Sequence, residues 1–352
     1  MDIHDGTIDR FLSILWDRQG SDLLLTVDSP PRIRVDGRLV PIDGEANLTD
    51  KDMEIFAEEI LTSDQRDRLV KLDEIDFAHG WRKKARLRGN AYIQKDETAI
   101  ALRMIPSEIP DFGQLGMPPA VQALAQLPQG LVLFTGPTGS GKSTSLASLL
   151  GHINATRPVH ILTIEDPIEY LHTHKMGAVS QREVGTDTNS FANALKSALR
   201  EDPDVILVGE MRDPESIAFA LTLAETGHLV FSTLHTNDSA QAIDRIIDVF
   251  PHERQDQIRV QLAGALSAVI AQRLIVKPEG GRVAAFEVLI ANSAIRNLIR
   301  EGKTRQIRNV LTTSQALGMQ TLEMCLTNLV NARTISKESA VAIAIVPGEI
   351  GR

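Results

Sequence analysis

The sequence predicts an α/β protein of two domains, a small α+β module followed by a larger domain built on an open parallel sheet. Three observations carry that expectation: the length, the short alternating strands and charged helical stretch of the first hundred residues, and a glycine-rich turn set between an apolar run and a helical stripe. The chain has 352 residues, and roughly 100 to 200 residues per domain makes two domains the natural division. It carries 37 Lys and Arg against 46 Asp and Glu, a net charge of −9. Neutralising nucleic-acid phosphates takes clustered cations, so this balance argues against a nucleic-acid partner. Cys325 is the single cysteine, which rules out an intrachain disulfide. The opening Met1-Asp-Ile-His-Asp-Gly has no basic-then-apolar leader. No apolar run reaches the roughly 18 to 20 residues of a membrane span, and the expected location is cytoplasmic.

In chain order, Asp22 to Thr26 reads as a strand, and Arg32 to Val40 as two alternating strands around Asp36-Gly37, a dipeptide suited to a tight hairpin turn. Residues 49–72 read as helical and highly charged, and strand patterns resume at Lys84 to Tyr92 and Thr98 to Arg103. These elements define a first domain over residues 1–105. Residues 106–119 contain Pro106, Pro110, Gly113, Gly116, Pro118 and Pro119. Proline fixes φ and removes a backbone donor, so this stretch is expected to be a linker to a second domain over 120–352.

The second domain begins with Gly130-Leu-Val-Leu-Phe-Thr135, an apolar run typical of a buried parallel strand. It leads into Gly136-Pro137-Thr138-Gly139-Ser140-Gly141-Lys142-Ser143, a complete P-loop followed by Thr144. The glycines let successive N–H groups face an anion, and the following helix adds its positive N-terminal end. Lys142 is expected to reach the β- and γ-phosphates and Ser143 to ligate Mg²⁺, which points to ATP with Mg²⁺. Leu146, Leu149, Leu150 and Ile153 then give that helix one apolar stripe.

Three further strands end in polar groups. Val159 to Ile164 leads to Glu165-Asp166-Pro-Ile-Glu169, Asp204 to Val208 leads to Gly209-Glu210-Met-Arg-Asp213, and His228 to His235 closes on Thr233 and His235. Ligands of an open parallel sheet lie beyond the carboxyl ends of its strands, so these residues point to one site. An acid after a strand is ordinarily a helix cap, the reading that competes for Glu169 and Asp213. For His228 and His235 the competing reading is a core histidine. Gly209 stands where a metal-holding Asp is usual, leaving Ser143 as the Mg²⁺ ligand, with Glu165 and Glu210 acting through water. Glu210 is the candidate to orient or deprotonate an attacking water, and His235 the candidate sensor of the γ-phosphate.

With these residues in hand, the chain resembles the secretion ATPase superfamily, and within it the type IV pilus retraction ATPases. The likeness runs from about Ser21 to near Leu326. The Walker A is matched by Gly136 to Ser143, the Asp box by Thr163 to Glu169, the atypical Walker B by Val205 to Asp213 and the His box by Thr226 to Thr236. Ala294-Ile-Arg-Asn-Leu-Ile-Arg-Glu-Gly-Lys303 resembles the signature of the retraction branch. The resemblance implies a PAS-like first domain, a RecA-like motor domain and a homo-hexameric ring driving twitching motility. It also implies nucleotide contacts at Glu165, Asp166, Glu169 and His228 and catalytic arginines at Arg88 and Arg103. The expected partner is a platform protein at the inner-membrane face of the pilus machine, with no zinc involved. One alternative is an extension or type II secretion ATPase of the same superfamily, whose usual four-cysteine zinc site one cysteine cannot build. Others are a RecA-like nucleic-acid translocase and an accessory ring subunit that binds ATP without hydrolysing it. From the residues alone, Ala294 to Arg308 carries five basic side chains against Glu301. Of these, Arg296, Arg300 and Lys303 are spaced to line one helix face. Such a run is ordinarily a solvated surface; the resemblance turns it into a candidate coupling face.

Overall fold

The computed structural model describes residues 8–82, 84–106 and 108–351, so the leader reading at residues 1–6 lies outside it. Two compact units divide the chain, Met1–Glu108 and Ile109–Arg352.

The first unit is α+β. Its elements are α1 (Ile8–Asp17), β1 (Asp22–Leu25), β2 (Arg32–Val35), β3 (Arg38–Pro41), α2 (Asp50–Ile60), α3 (Ser63–Leu72), β4 (Glu74–Trp81), β5 (Ala85–Gln94) and β6 (Glu97–Pro106). The strands form one antiparallel sheet in the order β3-β2-β1-β6-β5-β4. The hairpin forms at Asp36-Gly37, both with positive φ (47° and 82°), as a turn matched to strand twist requires. The helical stretch over 49–72 is two helices, because Leu61 is extended and Thr62 opens a capping box with Gln65. That box satisfies two donors at a new helix start, which one continuous helix would not need. Helix α1 and strand β4 are elements the sequence reading left out. Gly89 pairs with Phe77 across β5 and β4. A Cβ on Gly89 would lie 2.2 Å from the Phe77 ring, which fills the space a side chain would take.

The second unit contains α4 (Pro119–Gln122), β7 (Gly130–Thr135), α5 (Lys142–Thr156), β8 (His160–Glu165), β9 (Ala178–Glu183), α6 (Phe191–Ala198) and β10 (Val205–Val208). It continues through α7 (Pro214–Glu225), β11 (Leu229–Leu234), α8 (Ser239–Asp248), α9 (His252–Ala265), β12 (Leu266–Val276) and β13 (Arg282–Ile290). It ends with α10 (Ser293–Arg300), α11 (Ile307–Thr313), α12 (Leu322–Asn331) and α13 (Lys337–Ile343). The sheet order is β13-β12-β7-β11-β10-β8-β9. All neighbours are parallel except the β12–β13 pair. Every residue of β7, β10 and β11 is buried, because both sheet faces are covered. Val132 and Phe134 pack with Leu146, Leu149, Leu150 and Ile153 of α5, while Leu131 and Leu133 pack with α7 and α8. That double cover is why these strands read as continuous apolar runs.

Two expectations change here. The stretch over 106–119 is largely a packed segment of the second unit: Met117 is buried, and Phe112 and Leu115 join the apolar cluster under α5. Its prolines block regular structure, but the apolar residues between them still bury. Nor does the basic helix α10 present one solvated face. Arg296 donates from Nε to Ala291 O (3.0 Å) and from its terminal nitrogen to Ala263 O and Gly264 O (2.6 Å for the latter). Ala263 and Gly264 end α9, so the guanidinium caps that helix's C-terminal carbonyls. Arg300, by contrast, is exposed and donates to Asn297 Oδ1 at 3.0 Å.

Candidate active site

The loop after β7 turns through three glycines with positive φ, Gly136 (145°), Gly139 (78°) and Gly141 (87°). A Cβ at Gly136 would meet Gln272 O at 2.4 Å and Ser140 Oγ at 2.7 Å, so this position accepts only glycine. Helix α5 starts at Lys142 with no side-chain cap, leaving its first N–H groups for a ligand. Inside the loop the buried Ser140 Oγ lacks a hydrogen-bond partner. An orphaned donor beside an uncapped helix start is the polarity that nucleotide phosphates would satisfy. Lys142 is buried and donates from Nζ to Gly136 O (2.8 Å) and Pro137 O (3.1 Å). Burial pushes its ammonium below the usual lysine value, while Glu169 and Glu210 act in the opposite sense. Those two carboxylates therefore face the same cation.

Strand β8 delivers Glu165, nearly buried and held by Thr163 Oγ1 (2.7 Å), Gln181 Nε2 (3.3 Å) and the Glu169 N–H (3.3 Å). Burial raises its pKa, and those hydrogen bonds only partly counter the rise. Glu169 precedes no helix, so the capping alternative does not apply to it. Asp213 does cap, accepting from Ser216 N and Oγ at the start of α7. Gly209 lies close to β8: its N–H donates to Ile164 O at 2.8 Å, and a Cβ there would sit 3.2 Å from that oxygen. An Asp would crowd this contact. Glu210 follows at the strand's carboxyl end, with Arg212 at 2.7 Å from one oxygen and His235 Nε2 at 3.5 Å from the other. Lys142, Glu169, Glu210 and His235 thus converge at one edge of the sheet.

The family described as type II/IV secretion system protein matches residues 79–279. The chain belongs to this family. It is 50% identical over 331 residues to the type IV pilus retractation ATPase PilT of Pseudomonas aeruginosa, covering 94% of this chain and 96% of that one. It is 51% identical over 318 residues to a twitching motility protein of Neisseria gonorrhoeae, covering 88% and 83%. A crystal structure of the pilus retraction motor PilT with bound ADP superposes with a TM-score of 0.89 at 45% identity, covering 97% of this chain and 98% of that one. Within the family the chain falls among the pilus retraction ATPases.

One expected family contact is not at the site. His228 precedes β11, where its Nδ1 lies 3.0 Å from Leu223 O and 3.3 Å from Thr226 Oγ1. Strand β11 runs from Leu229 to Leu234 parallel to β7, so His228 lies at the amino end of the strands. At about 3.3 Å per residue it is on the order of 20 Å from the edge that carries His235. Arg88 and Arg103 lie in the first unit, opposite each other on β5 and β6. There Arg103 Nε donates to Asp22 Oδ1 at 2.9 Å. Asp166 is exposed and adds to the negative field around Arg212. Thr144 Oγ1 lies 2.9 Å from Tyr170 OH.

The sequence reading missed Tyr170, Gln272 and Arg273. Gln272 is buried behind the loop and accepts from Ser145 Oγ at 2.9 Å. Arg273 is held by Asn237 O and Oδ1. A partial signal was available, since Gln272 and Arg273 interrupt the apolar run from Ala268 to Val276; that β12 lies parallel beside β7, which puts them next to the loop, is visible only in the structure. Among the described residues, no His, Cys, Asp and Glu cluster forms a metal site, and no helix is long and apolar enough to cross a membrane.

Proposed function

We propose that this chain is the subunit of a homo-hexameric motor that hydrolyses ATP to ADP and phosphate and powers type IV pilus retraction and twitching motility. The observation that carries the reading is identity of 50% to a retraction ATPase across nearly the whole of both chains. It favours retraction over the extension and type II secretion branches. The local chemistry supports hydrolysis. The uncapped N-terminus of α5 and the loop N–H groups bind phosphate oxygens, and Lys142 brings a cation to the β- and γ-phosphates. Ser143 is the residue to hold Mg²⁺, with Glu165 and Glu210 reaching it through water; the bound ion would neutralise phosphate charge. Glu210 orients the attacking water and takes its proton, while Arg212 and His235 fix the carboxylate. His235 also senses the γ-phosphate. Asp166 and Glu169 are proposed to border the nucleotide. Arg88 and Arg103 are proposed to meet phosphate charge in the assembled ring.

The proposed setting is cytoplasmic, against a platform protein at the inner-membrane face, with no nucleic acid or zinc involved. The test measures phosphate release and solution mass with and without ATP, together with twitching of a strain that depends on this chain. Hydrolysis by a hexamer and restored twitching are expected. A protein that binds ATP in the ring but releases no phosphate would make it an accessory subunit.

A further inference from the structure

We propose that Glu287 of β13 is a positioning residue for His235: by holding the start of α8, it fixes the stretch 235–238 that presents His235 to Glu210. The inference rests on the ATP reading above. Glu287 is the only acid of β13 and is 2% exposed. A carboxylate buried this deeply is costly unless donors meet it. The donors here are the N–H of Ser239 at 2.9 Å and its hydroxyl at 2.5 Å, both onto Oε1. Ser239 is the first residue of α8, and the N–H groups of a helix start favour a negative partner. Asp238, the residue before it, accepts from Gln241 N at 2.8 Å. Two acids therefore secure one helix start, one from the preceding chain and one from the edge strand of the sheet.

The stretch between β11 and α8 is where that anchoring acts. His235 follows the last residue of β11, and its side chain is 45% exposed. Packing therefore does not fix the ring, whose place is inherited from the backbone on either side. On the near side, Thr236 N–H donates to Thr135 Oγ1 at 3.0 Å and Thr135 Oγ1 donates to Thr236 O at 2.8 Å, at the residue before the phosphate loop. In the middle, Asn237 O and Oδ1 accept from Arg273 at 3.2 and 2.9 Å. On the far side, Ser239 is tied to Glu287. Glu287 stands opposite Ala271 in the pairing of β13 with β12, which puts it on the same sheet face as Arg273. The charges of Asp238 and Glu287 both favour the Arg273 cation. Burial raises the Glu287 pKa, the two Ser239 donors oppose that rise, and the nearby Asp238 and Glu323 add to it. Without Glu287 the buried start of α8 loses its anchor on the sheet, and the backbone carrying His235 is held from one side only. A group that orients another in this way acts through geometry rather than by touching substrate.

The experiment measures steady-state phosphate release by the full chain with ATP and Mg²⁺, giving kcat and KM for Glu287→Ala, Glu287→Gln, Ser239→Ala and His235→Ala, each checked for folding by its melting curve. Glu287→Ala should lower kcat on the order of ten-fold with KM within about two-fold of the parent. Glu287→Gln, which keeps an oxygen for the Ser239 donors, should recover most of that turnover. In a His235→Ala background the further loss from Glu287→Ala should shrink below about two-fold, because effects that pass through one residue are not additive. If Glu287→Ala does not fold, Ser239→Ala, which removes one of the two donors, takes its place in the same cycle with a loss of about three-fold. The positioning role is overturned by parent-like turnover in these variants, by a loss carried by KM alone, or by a Gln variant as slow as the Ala variant. It is equally overturned by the full loss recurring in the His235→Ala background, or by a His235→Ala protein as active as the parent. Each of those results leaves the ATP reading standing. A parent protein that releases no phosphate overturns the hydrolysis reading, and the positioning role with it.

Discussion

Replacing Arg296 by alanine separates a structural role from a coupling role in the segment that resembles the retraction signature. The guanidinium donates to three carbonyls, Ala291 O, Ala263 O and Gly264 O, two of them at the open end of α9. Burial pulls its pKa below the usual arginine value, with the neighbouring Arg300 acting in the same direction, yet the side chain remains charged. A hydrogen bond from a charged donor is typically worth about 1.5 to 3 kcal/mol when well buried. Arg296 is only half-buried, and water can replace part of what is lost, so the whole set should be worth about 2 kcal/mol. For a unit of this size, about 1 kcal/mol shifts the melting temperature by about 2 to 4 °C. Arg296→Ala should therefore melt about 4 to 8 °C below the parent. Arg300→Ala, which loses one exposed contact to Asn297, should cost less than about 0.5 kcal/mol. The assay is thermal unfolding of both variants at one protein concentration, with basal phosphate release measured alongside. Equal melting temperatures would show that the α9 carbonyls do not need Arg296, and the segment would return to being a plain solvated face.

Glu210→Gln should keep ATP binding and lower phosphate release at least about 10²-fold, the usual scale of general-base loss, whereas Lys142→Ala should weaken binding as well; equilibrium titration and a phosphate assay read the two effects. Gly89→Val should destabilise the first unit by about 1 to 3 kcal/mol, because the added carbons overlap the Phe77 ring; the companion Phe77→Ala change should recover part of that loss in the melting curve. Burial holds the Glu165 carboxyl above the ordinary glutamate value of 4.5, so the folded state binds this proton more tightly than the unfolded chain does. That group's contribution therefore falls as pH rises from about 4.5 through the raised folded value, and above it the full penalty stands. Glu165→Gln should flatten the slope of melting temperature against pH in that window, and an unchanged slope would place its origin elsewhere.

The parts of this protein that could be read from its sequence are those whose physics is local. The phosphate loop needs positive φ at fixed spacings, and Gly136, Gly139 and Gly141 record that need one residue at a time. The hairpin at Asp36-Gly37 is legible for the same reason. His228 was misplaced although it adjoins the right strand, because the direction of β11 decides which end of the sheet a flanking residue occupies. Arg296 was misplaced because its partners on α9 lie 32 and 33 residues away, and spacing on one helix says nothing about a neighbouring helix end. This changes how the basic segment can act. Arg296 is committed to α9, Arg308 to Glu323 and Glu349, and Lys303 pairs with Glu301 at 2.8 Å. The exposed charge is then carried by Arg300, Lys303 and Arg305, and Lys303 is already half neutralised by its neighbour. A partner that docks here by charge would meet a small patch around the end of α10 rather than a stripe along it. Arg308, through Glu323, instead ties the end of the segment to the N–H groups of Ile345 and Val346 just after α13, so fewer of its cations are free for a partner than the sequence displays.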